Sequence, residues 1–380
     1  MAGNAACRDK YDEMKGYQRL PSLTAGRGIA ALLVAIHHAC LVWGGILTQV
    51  GNVGWLGVAY FYILSGFVLA WSWSPQRSTA EFYVHRIARI YPMHIITLAV
   101  SLTAFWLLRN PLAGYVGTPL GTVAQLFLVH DWLPGHPNVR QAWNGVSWSL
   151  SAEFGFYLCA PALLKWSAKA TNATLLNVGA VLYVLTSALG ILCATLHWDR
   201  IYDFMQYNPV ARLPEFVYGI IAARMLQRGV EIRAGFMLKL ATFVPIALYL
   251  VGNDHRSAVA MVSLCVPAFL MFIASGAASD IEGKTSMLAN GVLQLIGEAS
   301  FSLYMTHALL LGVMAGAVHA LHVRTHAVVL IAVFLVASVF VSIVSYKLIE
   351  LPLRKLILTR VRFDRARETD RAVSEQARHG

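Results

Sequence analysis

Long apolar runs, broken by short polar or basic segments, recur along the whole chain. Runs lie near 28–47, 54–73, 90–108, 148–164, 175–196, 213–226, 235–252, 257–276, 293–318 and 327–349. Most are long enough to cross the roughly 30 Å hydrocarbon core of a bilayer as a helix. The 213–226 run is short and spans only with help from surrounding protein or flanking residues. The segment 118–133 (TPLGTVAQLFLVHDWL) is apolar but also short, and reads as a span, a re-entrant piece or an interfacial helix. The pattern predicts an all-α polytopic membrane protein of about ten transmembrane helices.

Composition agrees with the pattern. Of 380 residues, 57% are hydrophobic and 13% charged, about half the charged share of a soluble domain. Such a chain needs lipid against its outside. The net charge of +11 sits in the breaks between apolar runs, so it speaks of topology rather than nucleic-acid binding. With ten spans, a cytoplasmic N-terminus and a non-crossing 118–133, the inner segments hold 24 of the 30 Lys and Arg. The outer side holds only Arg109, Arg140, Arg200, Arg212, Arg256 and Arg324. That bias follows the positive-inside rule and predicts both termini in the cytoplasm; a crossing 118–133 would put the basic tail outside. The chain then divides into a cytoplasmic N-terminal segment (1–27), a transmembrane domain (28–358) and a polar cytoplasmic tail (359–380). The first run reads as a retained span rather than a signal peptide. The five cysteines show no metal-ligand spacing and read as small apolar filler.

Ionisable side chains at membrane depth are costly and mark candidate function. Arg27 and His38 are eleven residues apart, almost three helical turns, so they share one face about 16 Å apart along the axis. Arg27 would stand at the inner surface, suited to a phosphate, and His38 near the bilayer centre, suited to taking a proton. The competing reading of His38 is a hydrogen bond to a neighbouring helix; His37 points elsewhere and reads as packing. Arg86 and Arg89, three apart in HRIARIYP, extend the inner positive mouth, or simply obey the positive-inside rule, and Pro92 would open the third span. In WSLSAEF, Glu153 falls about one turn into the fourth span near its outer end, with Ser149 and Ser151 as possible helix caps. Arg212 and Glu215 in RLPEFVYG suit a structural ion pair or a substrate contact. Ser302, Tyr304 and His307 fall within the ninth span, His307 at a depth similar to that of His38. The bland reading there is a polar tie between helices.

RGIAALLVAIHH, FYILSGF (61–67), HRIARIYP (85–92), WSLSAEF, RLPEFVYG, SFSLYMTH and LIELPLRKL (348–356) appear in order. Each motif alone is weak, but the ordered set resembles the acyltransferase-3 family of bacterial integral membrane O-acyltransferases over about residues 20–358. The family's Arg-x10-His motif falls on Arg27 and His38, its inner-loop arginine motif on Arg86 and Arg89, and its Ser-x-x-x-Glu element on Ser149 and Glu153. Two departures stand out. Tyr60, Phe61 and Tyr62 occupy positions where a Phe pair is commoner, and Ala25-Gly26 precedes Arg27 where Gly-Leu is usual.

The resemblance implies transfer of an acyl group, usually acetyl, from cytoplasmic acyl-CoA at the bacterial inner membrane. The acceptor would be a hydroxyl of a cell-envelope glycan, a lipid-linked sugar or a small metabolite. Joined to the depth argument, it assigns acyl-CoA phosphates to Arg27, Arg86 and Arg89, with acyl-CoA as donor substrate and no permanently bound cofactor. His38 becomes general base or acyl carrier, and Tyr304 and His307 pocket or oxyanion groups. Glu153 would orient or tune the acceptor, with Ser149, Arg212 and Glu215 as substrate contacts. The rival class is a transporter in which buried His and Glu relay protons. A second rival is an acylase working wholly at the inner face on a macrolide-like metabolite.

Overall fold

A computed structural model describes residues 20–45, 48–51, 53–109, 112–113, 116–132, 136–196, 199–230, 258–284 and 287–361. The run 235–252 and the greater part of both terminal segments lie outside the described residues. Among the described residues every extended element is helical, apart from one isolated bridge between Ala113 and Asn144. The principal helices are α1 (Pro21–Trp43), α2 (Leu56–Trp71), α3 (Thr79–Leu108), α4 (Trp148–Lys169), α5 (Asn172–Leu196), α6 (Pro209–Gln227), α7 (Ala258–Ile281), α8 (Ser300–Ala320) and α9 (Ala327–Ser345). Among the described residues six helices are long and apolar enough to cross a membrane: α1, α3, α5, most of α7, α8, and α9 with its extension to Val361. The apolar helix α2 is shorter, at 16 residues.

Lipid-facing and protein-facing helices differ in kind. Only 11% of the apolar window of α5 is buried, leaving Val181, Val184, Leu185 and Leu189 exposed. Such a continuous apolar surface is stable against lipid, not water. By contrast α6, which carries Arg212, Glu215 and Arg224, is buried along most of its length between α2, α4, α5 and α7. Protein supplies partners for its charges where lipid cannot. The α2–α6 crossing depends on two glycines. A side-chain carbon on Gly66 would overlap the Phe216 carbonyl, and one on Gly219 the Ile63 carbonyl. Small residues at a crossing let helix backbones touch, the usual source of affinity between helices in lipid.

Several boundaries differ from those the apolar pattern predicts. α1 begins at Pro21, not near Gly28, so Arg27 lies inside the helix instead of flanking it. Proline in the first turn sets this start. α3 begins at Thr79, capped by Ser78, whose hydroxyl accepts from the Glu81 amide at 3.1 Å. Arg86 and Arg89 are therefore helical, and Pro92 lies within the helix rather than at its start. Apolar periodicity missed these extra turns because they are polar. The predicted run 293–318 is broken at Ala299 into a short helix, Gly291–Glu298, and α8. In 118–133 the helix covers only Pro119–Leu126, about 12 Å at 1.5 Å per residue, too short to cross. Ser149 and Ser151 do not cap α4. Ser149 bonds Tyr304 and the Val146 carbonyl, and Ser151 bonds the Leu128 carbonyl.

The two departures from the family pattern meet in space. A side-chain carbon at Gly26 would overlap the Tyr60 hydroxyl, and the Tyr60 ring is held edge-on against Phe269 at 5.8 Å. The missing side chain at Gly26 makes room for the additional hydroxyl of Tyr60. Gly26→Ala is therefore expected to lose about 1–3 kcal/mol through overpacking, and Tyr60→Phe in the same chain to recover most of it. Thermal unfolding of the two single variants and the double variant in detergent checks this; additive losses would refute it.

Candidate active site

Arg27 of α1 and Arg86 and Arg89 of α3 line one cavity of about 1040 Å³, at the upper end of small-ligand pocket sizes. The helical spacing places Arg86 and Arg89 on neighbouring turns of one face. Arg86 rests over the rings of Phe82 and Tyr157, at 5.9 and 5.7 Å. Its Nε is buried without a hydrogen-bond partner. Arg27 and Arg89 make no hydrogen bond or ion pair among the described residues. These guanidiniums are unneutralised donors turned toward an open space.

Glu153 lies in this same cavity, beside the arginines rather than on a separate outer side. Five residues into α4, it is carried inward because the helix packs against α2 and α3. One carboxylate oxygen accepts from Ser65 at 2.9 Å and from the Tyr157 hydroxyl. Sequence reasoning passed over Ser65 and Tyr157, since a hydroxyl in an apolar run reads as packing until its partner is known.

Ser149 and Tyr304 close the far end of the cavity. Ser149 donates to the Tyr304 hydroxyl at 2.7 Å, and Tyr304 donates to the Val146 carbonyl at 3.1 Å. The single Tyr304 proton is thus committed to backbone, and the pair ties α8 to the start of α4. Phe61 packs edge-on against Tyr304 at 6.0 Å.

His38 and His307 do not line the cavity. They lie just beyond Tyr304, whose ring is 5.8 Å from that of His307. The two imidazoles are in contact: His307 Nε2 is 3.3 Å from His38 Nδ1, with ring centroids 5.0 Å apart. The backbone settles their tautomers. His38 Nδ1 is 2.9 Å from the Val34 carbonyl, and His307 Nδ1 is 2.7 Å from the Tyr304 carbonyl. A carbonyl only accepts, so Nδ1 carries the hydrogen in both neutral rings. His307 Nε2 then offers a lone pair to the shared Nδ1–H of His38, and the lone pair on His38 Nε2 has no partner among the described residues. His37 is spent on the Gly51 carbonyl at 2.7 Å.

Arg212 and Glu215 form the ion pair their spacing suggests, at 3.0 Å, both buried. They do not line the large cavity. Arg212 lies 5.2 Å from the ring of Tyr62, a residue that lines the cavity. The pair supports the cavity wall from behind. Nearby Arg140 pairs with Asp203 at 3.3 Å and stacks on Tyr207 at 3.7 Å. Among the described residues no group of three or more His, Cys, Asp or Glu is placed to hold a metal ion.

The arrangement is a cationic, partly apolar cavity with a histidine pair behind its closed end, and relatives of the chain can be set beside it. The family model described as an acyltransferase domain matches residues 20–347. Acyltransferase MdmB of Streptomyces mycarofaciens is 31% identical over 309 residues, covering 76% of this chain and 78% of that protein. A putative O-acetyltransferase of Staphylococcus aureus (strain COL) is 23% identical over 370 residues, covering 91% of this chain; the chain spans 58% of that relative's length. A putative acetyltransferase of Acidianus two-tailed virus is 25% identical over 306 residues, covering 77% of this chain and 85% of that protein. No solved structure matches the chain. With the family model covering most of the sequence and the membrane-length helices in place, the chain belongs to the acyltransferase-3 family and is a membrane O-acyltransferase.

Proposed function

We propose that the protein takes an acyl group, acetyl by default, from cytoplasmic acyl-CoA and passes it to a hydroxyl. The acceptor class is a cell-envelope glycan, a lipid-linked sugar or a small metabolite. The observation that carries the reading is the cavity itself. Arg27, Arg86, Arg89 and Tyr304, whose ring is in contact with His307, line the same space. Acyl-CoA has parts to match: a polyanionic nucleotide at one end and a thioester at the end of a flexible, mostly uncharged arm.

In this reading Arg27, Arg86 and Arg89 bind phosphate oxygens through charge-assisted hydrogen bonds. The arm runs between Leu64, Ser65 and Tyr62 toward Phe61 and Tyr304. For this the thioester end has to pass Tyr304 to reach His38, which lies just beyond it; His38 Nε2 then takes the proton of the acceptor hydroxyl as its oxygen attacks the thioester carbonyl. CoA thiolate leaves and takes that proton back from His38. His307 orients His38 by accepting its Nδ1–H and spreads the charge that develops on it. Tyr304, its proton committed to Val146, is a positioning group and not an oxyanion donor. Glu153, bonded by Ser65 and Tyr157, fixes the wall beside the arginines. The chain is placed in the bacterial inner membrane with ten spans and both termini cytoplasmic, the arrangement its 24-to-6 distribution of basic residues favours.

His38→Ala is expected to lower acyl transfer by about 10²- to 10⁴-fold while CoA still protects the protein from heat. The readouts are mass spectrometry of acylated glycans and metabolites from cells carrying each form, and thermal unfolding of the purified proteins. Near-normal acylation by His38→Ala would remove His38 from the mechanism. CoA protection itself is expected to weaken as salt rises, because phosphate–arginine attraction is screened. Flux of a solute in proteoliposomes without any acyl donor, together with no protection by CoA, would favour a transporter instead.

A further inference from the structure

The closing motif LIELPLRKL has no role in the chemistry above, yet it delivers a side chain to the same cavity. Arg354 lines it together with Arg27, Arg86 and Arg89. A local distortion of the helix precedes it. Pro352 has no N–H to offer the carbonyl four residues back, and the chain answers with a π turn over Tyr346–Glu350, in which the Leu351 amide bonds the Tyr346 carbonyl. The turn directs Glu350 into the protein, where it is buried and accepts from Ser302 of α8 at 2.7 Å. Arg354, four residues on, shares that face.

Arg354 makes no hydrogen bond or ion pair among the described residues. Its charged neighbours are mainly other arginines, Arg89 and Arg86, with Glu350 as counterweight. The cavity is thus lined by four guanidiniums and one carboxylate, Glu153. Such an excess is held by water in the cavity and is suited to anions. Arg354 lies among the exposed residues Pro352, Lys355 and Leu356, which puts it nearer the mouth.

We propose that Arg354, set by the π turn and Glu350, is a fourth phosphate ligand that reads the 3′-phosphomonoester of the donor's nucleotide. The inference rests on acyl-CoA being the donor. In that molecule the thioester, the diphosphate and the 3′-phosphate follow one another along the chain. With the thioester end directed to Tyr304 and His38, the diphosphate meets the more enclosed arginines and the 3′-phosphate comes last, at the rim.

The test compares CoA with 3′-dephospho-CoA as binding probes, by calorimetry on protein purified in a nonionic detergent free of anionic lipid. Wild type is expected to bind CoA about tenfold more tightly than 3′-dephospho-CoA, the scale of one lost charge-assisted contact. Arg354→Ala is expected to lose that difference, binding CoA about tenfold more weakly and 3′-dephospho-CoA as wild type does. Retained 3′-dephospho-CoA binding also shows that the variant is folded, and Arg354→Lys is expected to restore part of the difference. Equal weakening toward both probes, or no weakening, would overturn the assignment while leaving the donor reading intact. Loss of phosphatidylglycerol-induced stabilisation with unchanged CoA binding would assign Arg354 to a lipid headgroup and overturn it as well. Failure of wild type to bind either probe would overturn the acyl-CoA reading itself.

Discussion

A guanidinium inside a membrane protein has to meet a carboxylate, a carbonyl, an aromatic face or a water-filled cavity, because lipid offers it nothing. That requirement divides the buried arginines of this chain into two kinds. Arg212 has Glu215, Arg140 has Asp203 and Tyr207, and Arg224 has Ser167, Gln227 and the Leu164 carbonyl. Each of these has a counter-charge or an acceptor in contact, although the Nε of Arg212 and of Arg140 is buried without a hydrogen bond. Among the described residues Arg27, Arg89 and Arg354 have no such partners, and Arg86 has ring faces and the Tyr157 hydroxyl. All four open onto one cavity. The protein keeps this charge in place by giving it a solvent-accessible space, and that space is where an anionic substrate would be held.

The rest of the architecture serves to keep that cavity open and directed. The α2–α6 crossing, close at Gly66 and Gly219, supplies a rigid back wall. The Tyr62 hydroxyl donates to the Ser149 carbonyl and the Ser149 hydroxyl bonds Tyr304, which joins α2, α4 and α8. Each bond satisfies a polar group that would be costly to leave bare in the interior. Tyr304 is therefore both a wall of the cavity and the residue whose carbonyl sets the tautomer of His307. Through His307 it also affects which nitrogen of His38 is free. Packing and chemistry share the same few side chains, so a change made for one disturbs the other.

Much of the fold was legible from the sequence. The all-helical class followed from apolar runs, and the acyltransferase family from the ordered motifs, because both depend on local order along the chain. Arg27 and His38 both lie on α1, but only Arg27 lines the cavity. Helix starts were less legible. α1 and α3 reach back into polar sequence, where capping by Ser78 and a first-turn proline decide the boundary and hydropathy is silent.

Sequence order by itself determined a membrane-embedded helical chain, its family, and which ionisable residues the membrane would tolerate only for a reason. Tertiary packing alone decided how they are grouped. It moved Glu153 in beside the arginines, put Arg212 and Glu215 behind the wall, joined His38 to His307 across α1 and α8, and brought Arg354 into the cavity through a π turn. The reason is physical. Helical periodicity fixes the face a residue occupies on its own helix, but its neighbour is set by crossing angles and close contacts between helices distant in sequence.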